Sequence, residues 1–275
     1  MIKQNPFSLY DFLGYFVPGA ILVYFYLLLD YLSELKTEFQ LKDFLKSSGD
    51  LRLEQILFFI IISYALGHLI NFLSSITIEK YSIWKYDYPS KFLLNLDKRP
   101  YWTKGIGILW RLLVPLMILP ITFLDLILGD LLRFKNFYTR KLDDFLIGLI
   151  KEKGNSLVNK LFKNTENNQS INKTINDYDF FRIFAHYTFE HSKSHQFKMV
   201  NYVALYGFLR VLTFILVITF WFVIYSMIVS ETLDFNVWIL IGISLTGYTF
   251  FMAFMKFYRR YTLEGLMLIA INEDL

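Results

Sequence analysis

Of the 275 residues, 55% are hydrophobic and only 19% are charged, whereas a soluble domain carries about 25% charged residues. Contiguous apolar runs turn that deficit into the signature of an integral membrane protein. Cysteine is absent, which excludes a disulfide framework, a thiolate nucleophile and a Cys-based zinc centre. The net charge of +4 is mild, so its placement along the chain matters more than its size.

Four stretches are long enough to cross the roughly 30 Å of bilayer hydrocarbon as helices: Phe12–Leu32, Ile56–Ile76, Phe208–Val229 and Val237–Phe257. Only Lys3 precedes the first of them, which is too long for a signal-peptide core and has no small-residue exit, so it is expected to be a retained span. The last two are joined by "SETLDFN" and predict a helical hairpin. Tyr10, Tyr31, Tyr81, Trp84, Tyr101, Trp102 and Tyr258 cluster near span ends, as interfacial anchors do.

A fifth apolar stretch, 106–132, contains Arg111, Pro115, Pro120, Asp125 and Asp130. Its two prolines would break an ordinary helix. Both flanks are basic, with Lys80, Lys85, Lys91, Lys98, Arg99 and Lys104 before it and Arg133, Lys135, Arg140 and Lys141 after it. The positive-inside rule draws both flanks to the cytoplasm, so the stretch is expected to be a re-entrant or interfacial broken helix. The alternatives are a true fifth span and a buried helix pair of the cytosolic region.

The expected fold is therefore all-α, with four transmembrane helices as two hairpins around a helical cytosolic region. Residues 1–77 would form the N-terminal hairpin, 78–207 the basic cytosolic region, 208–260 the C-terminal hairpin and 261–275 a cytosolic tail, with both termini inside. Within the middle region, Phe134, Tyr138, Leu142, Phe145 and Leu149 recur at helical spacing and predict an amphipathic helix, with Gly154 as its punctuation. "NTENNQSINKTIND" reads as a linker. From Tyr178 no breaker occurs before Gly207, so one long helix into the third span and two helices kinked at Gly207 both remain open.

No nucleotide-binding or nucleophile-elbow motif occurs, no cofactor is expected, and no residue is assigned a catalytic or metal-ligating role. His186, Glu190, His191 and His195 share one stretch, yet 100° per residue places the pairs 186/190 and 191/195 on different faces. A membrane-embedded metal-dependent hydrolase would need further ligands from another element. Lys160, Lys163, Arg182 and the four residues of that group are candidate contacts for a cytosolic signal or partner, or simply a solvated basic surface.

The second span carries a polar and small-residue stripe: Ser63, Gly67, Asn71 and Ser74, with Tyr64, His68 and Ser75 alongside. Lipid cannot satisfy polar groups, so this face turns toward another helix or toward water. Helix packing and pore lining both remain open, and a pore would need several subunits in cyclic arrangement.

The opening "SLYDFLGYFVPGAIL", the span hairpin, the basic helical middle and the closing "FYRRYTLEGL" resemble the layout of small multi-pass membrane effectors of bacterial anti-phage defence operons, the Hailong-type membrane subunit among them. That resemblance implies a homo-oligomeric inner-membrane effector or ion channel gated through its cytosolic region. Its implied partners are the lipid bilayer, further copies of itself, and a cytosolic sensor, a nucleotidyltransferase, or a nucleotide or oligonucleotide signal. A non-catalytic scaffold subunit is the remaining alternative.

Overall fold

The computed structural model describes residues 11–34, 40–49, 52–98, 100–102, 107–163, 180–230 and 234–273. Among them there are helices and turns and no strand. A π-helical turn, Phe12–Phe16, leads into α1 (Val17–Glu34), followed by α2 (Leu41–Gly49) and α3 (Leu53–Ser74). A second π-turn, Ser75–Glu79, carries α3 without interruption into α4 (Lys80–Tyr86), and α5 (Pro89–Leu93) follows.

Leu53–Leu93, Lys193–Val229 and Val237–Ile271 each hold a segment long and apolar enough to cross a membrane, whereas the expected first span, Phe12–Leu32, is among the described residues only a shorter apolar helix, Phe12–Leu28. Three to four helices therefore qualify as spans, the fourth being the broken pair described next. Many large apolar side chains on these helices face outward, among them Leu57, Phe58, Ile61, Phe72, Tyr225 and Trp238. In water such a surface would be untenable; against lipid it costs nothing.

α6 (Ile108–Met117) and α7 (Leu119–Leu124, continued by a π-turn over Asp125–Leu131) meet at 87°. Pro115 lacks the N–H that would bond the Arg111 carbonyl, and the Tyr101 hydroxyl donates to that carbonyl instead, at 3.0 Å. At the bend, the Thr122 hydroxyl donates to the Pro115 carbonyl and Trp221 Nε1 to the Met117 carbonyl. These freed backbone groups are thus covered by protein. Both feet of the bent pair stand against α4: Arg111 lies over the Trp84 ring, and Asp125 is bonded by Tyr81 and Tyr86.

The next stretch departs from its periodicity. The 134–150 stripe does not form one helix: Phe134–Phe137 is a 3-10 turn, and α8 runs Asp144–Lys163. Asp143 sets that start, because its Oδ1 accepts the Leu146 N–H at 2.9 Å in the manner of an N-cap. Tyr138 leaves the expected helix to enter the core, where it is 1% exposed. Gly154 does not punctuate the helix; it lies buried within α8. The predicted linker 164–177 and Tyr178 lie outside the described residues.

α9 (Phe180–His191) and α10 (Lys193–Ser230) break at Ser192 and not at Gly207, which is interior to α10. The Ser192 hydroxyl faces the His195 N–H at 3.5 Å, the geometry of a cap. α11 (Asp234–Ile271) returns alongside α10, with Tyr206 against Phe254, Tyr258 and Tyr261. Neither the 207/208 nor the 260/261 boundary coincides with a break, and Leu266, Ile269 and Ala270 of the expected tail are buried.

Two apolar cores result. One gathers Ile78, Trp84, Ile118, Ile121, Phe214, Tyr248, Phe251 and Phe254 around the spans and the bent pair. The other joins Leu93, Ile150, Leu157, Phe184, Leu266 and Ile269 from α5, α8, α9 and α11. α11 is the helix that runs from the first core into the second.

Candidate functional site: a buried carboxylate under the bent helix

Asp125 is fully buried. Its carboxylate accepts from the hydroxyls of Tyr81 at 2.8 Å and Tyr86 at 2.7 Å and from Lys85 Nζ at 2.8 Å. The hydroxyls of Tyr138 and Tyr248 lie farther off, at 3.3 and 3.4 Å. A carboxylate offers about four lone-pair sites, so the shell saturates it. The π-turn positions the group. A methyl at Gly129, within the same turn, would overlap Asp125 Oδ1 and press on the Tyr248 hydroxyl.

Lys85 bridges onward to Asp130 at 2.8 Å, and Lys135 closes on Asp130 at 2.9 Å. Asp125, Lys85, Asp130 and Lys135 therefore alternate in sign along a path from full burial to the half-exposed end, where Asp130 and Lys135 are 39% and 38% exposed. Burial first, and then the Asp125 charge, hold the Tyr138 phenol above its ordinary value of 10. It stays a neutral hydrogen-bond donor through the physiological range. The arrangement ties α4, the bent segment, the 3-10 turn region and α11 to one charge.

Part of the polar stripe of α3 is engaged within the chain, while Tyr64 and His68 keep an exposed side. A methyl at Gly67 would overlap the Tyr15 carbonyl, and one at Gly19 would overlap the Ser63 carbonyl, so the two helices touch backbone to backbone through Gly67 and buried Ser63. The His68 ring stacks on Tyr15 with centroids 3.8 Å apart, and Tyr64 meets both edge-on. Asn71 and Ser74 accept from the guanidinium of Arg210 on α10, which also pairs with Glu79. Ser75 donates to the Phe72 carbonyl of its own helix.

The candidate signal or partner contacts do not converge. His195 Nδ1 lies 2.9 Å from Glu264 of α11, with Lys198 3.7 Å from the same oxygen. His191 stacks on Tyr187 and contacts its carbonyl, while Arg182, His186 and Glu190 are exposed on α9 and Lys160 on α8. The Lys163 side chain lies outside the described residues. Among the described residues, no group of three His, Asp or Glu side chains could hold a metal.

Periodicity singled out neither Asp125 nor Arg210 as a site. The available signal was simpler: an ionisable residue inside an apolar stretch must have a partner. The chain matches no protein-family model, no curated protein and no solved structure.

Proposed function

We propose that this is a multi-pass protein of a bacterial inner membrane, acting in anti-phage defence as a homo-oligomeric effector or channel opened through its cytosolic layer. The supporting observation is the continuity of α10 and α11, each 38 residues long. Such a helix is about 57 Å long, roughly twice the hydrocarbon thickness. Each one is therefore long enough to cross the bilayer and extend beyond it, and α11 continues into the second core. α9 packs on this protruding part through the Thr188 hydroxyl facing the Gly265 carbonyl and Phe181 against Tyr261. Movement of the cytosolic helices is transmitted to the spans as rigid-body displacement.

In this arrangement α1/α3 and α10/α11 are the two hairpins and both termini are cytoplasmic. The bent pair re-enters from the cytoplasm, because both its feet rest on α4. Asn71 and Ser74 are engaged by Arg210, so a conduit forms where copies meet and is not lined by those two groups. The exposed Lys160 of α8 and Arg182, His186 and Glu190 of α9 are surface groups at which a sensor, a nucleotidyltransferase or its nucleotide product would act. The Asp125–Lys85–Asp130 series is the catch that holds the closed form.

Inducible expression in bacterial cells with a voltage-sensitive dye tests the proposal. Depolarisation on induction is expected, and it should come sooner with Lys85→Met. Full-length protein in the membrane that leaves the potential unchanged in both forms would overturn it.

A further inference from the structure

Between the bent helix and α8 the chain exposes large apolar groups in quick succession. Leu131 is 75% exposed, Phe137 78% and Phe145 77%, and Leu132 is also outward. They continue the outward apolar row of Phe123 and Leu126 on the bent segment. Arg133 and Arg140, both exposed, are interleaved with them. Arg133 adopts a left-handed backbone, φ 59°, which turns the chain sharply from the bent segment into the 3-10 turn.

A cluster of cations adjoins this strip. Arg259 of α11 donates through Nη2 to the Arg140 carbonyl at 3.1 Å, and the charges of Arg140 and Arg260 both bear on it. Its Nε is buried with no hydrogen-bond partner among the described residues. Arg140 and Arg260 are both exposed beside it, and Arg forks suit phosphate.

We infer that residues 131–145, together with Arg140, Arg259 and Arg260, form an interfacial anchor that binds the anionic phosphate headgroups of the cytoplasmic leaflet. Phe137, Phe145, Leu131 and Leu132 enter the upper acyl region while the arginines hold phosphate. This pairing of apolar insertion and basic charge is how amphipathic segments dock on anionic bilayers. The strip continues a lipid-facing surface, and its charge is complementary to the leaflet. The anchor fixes the height of the junction between the bent segment and α8, and so the resting position of the cytosolic helices. This inference rests on the membrane orientation proposed above.

The absence of cysteine makes the test direct, since single-cysteine variants of the full chain label at one place. Spin labels at Phe137→Cys and Phe145→Cys are compared in phosphatidylcholine vesicles with and without phosphatidylglycerol, using oxygen and a nickel chelate as lipid-side and water-side relaxants. Leu57→Cys on α3 serves as the lipid reference and Asn155→Cys on α8 as the water reference. In anionic vesicles the labels at 137 and 145 are expected to resemble the one at 57. R140Q/R259Q/R260Q should lose severalfold of the phosphatidylglycerol retained through purification, as counted by native mass spectrometry. Labels at 137 and 145 that behave as the one at 155 would overturn the anchor and leave the strip to an aqueous partner, a protein or a nucleic acid. Unchanged lipid retention in the triple variant would overturn the arginine assignment. A label at 57 that reads as water would instead overturn the membrane orientation itself.

Discussion

Asp125 and Arg210 are charged groups enclosed by an otherwise apolar interior, and each is held by partners distant in sequence. Removing one member of a buried ion pair strands the other, typically at a cost of about 3–5 kcal/mol. Lys85 retains Asp130 after such a loss, so Asp125→Asn is expected to cost about 3 kcal/mol, the low end of that range. Thermal unfolding in detergent measures it, and an unchanged midpoint would show that the carboxylate is not a cross-link. The same residue logic covers Arg210, whose guanidinium joins Asn71, Ser74 and Glu79. Arg210→Leu leaves Glu79 without its cation and should loosen α10 from α3, read as faster hydrogen exchange at the α3–α4 junction.

Among the helices, two glycines invite opposite expectations. Gly67 faces the Tyr15 backbone with no room for a methyl group, so Gly67→Ala must push α1 away from α3, at about 1–3 kcal/mol as overpacking goes. Gly207 lies within the continuous α10, and a Cβ there would meet nothing within 4 Å. Gly207→Ala should therefore stabilise by up to about 1 kcal/mol through helix propensity alone. Paired unfolding curves of the two variants check both signs, and a destabilised Gly207→Ala would argue for a functional kink there. Phe134 to Leu149 carry the same lesson: their spacing fits a helix, yet a turn at 134 and the Asp143 cap divide the run. Periodicity reports which residues are apolar but not whether the backbone between them is continuous.

For the whole molecule, the decisive geometry is that of two long paired helices, of which α11 runs through both cores. A reporter fused after Leu275 should be active only in the cytoplasm, and so should one fused before Met1; activity outside would reverse the topology on which the proposed gating depends. Hydropathy and proline placement were enough to read the all-helical class, three of the four expected spans and the break in 106–132, because each is a local property with a length or period attached. They also placed the stripe of α3 on one face. Only the tertiary structure brought Gly67 against the Tyr15 backbone and Asn71 and Ser74 against Arg210, and left Tyr64 and His68 exposed on the same helix. It alone assembled the Asp125 site, whose donors stand between 13 and 123 residues away along the chain. A buried charge is satisfied by whatever the fold brings within hydrogen-bonding distance, and no periodicity in the sequence encodes a partner that remote.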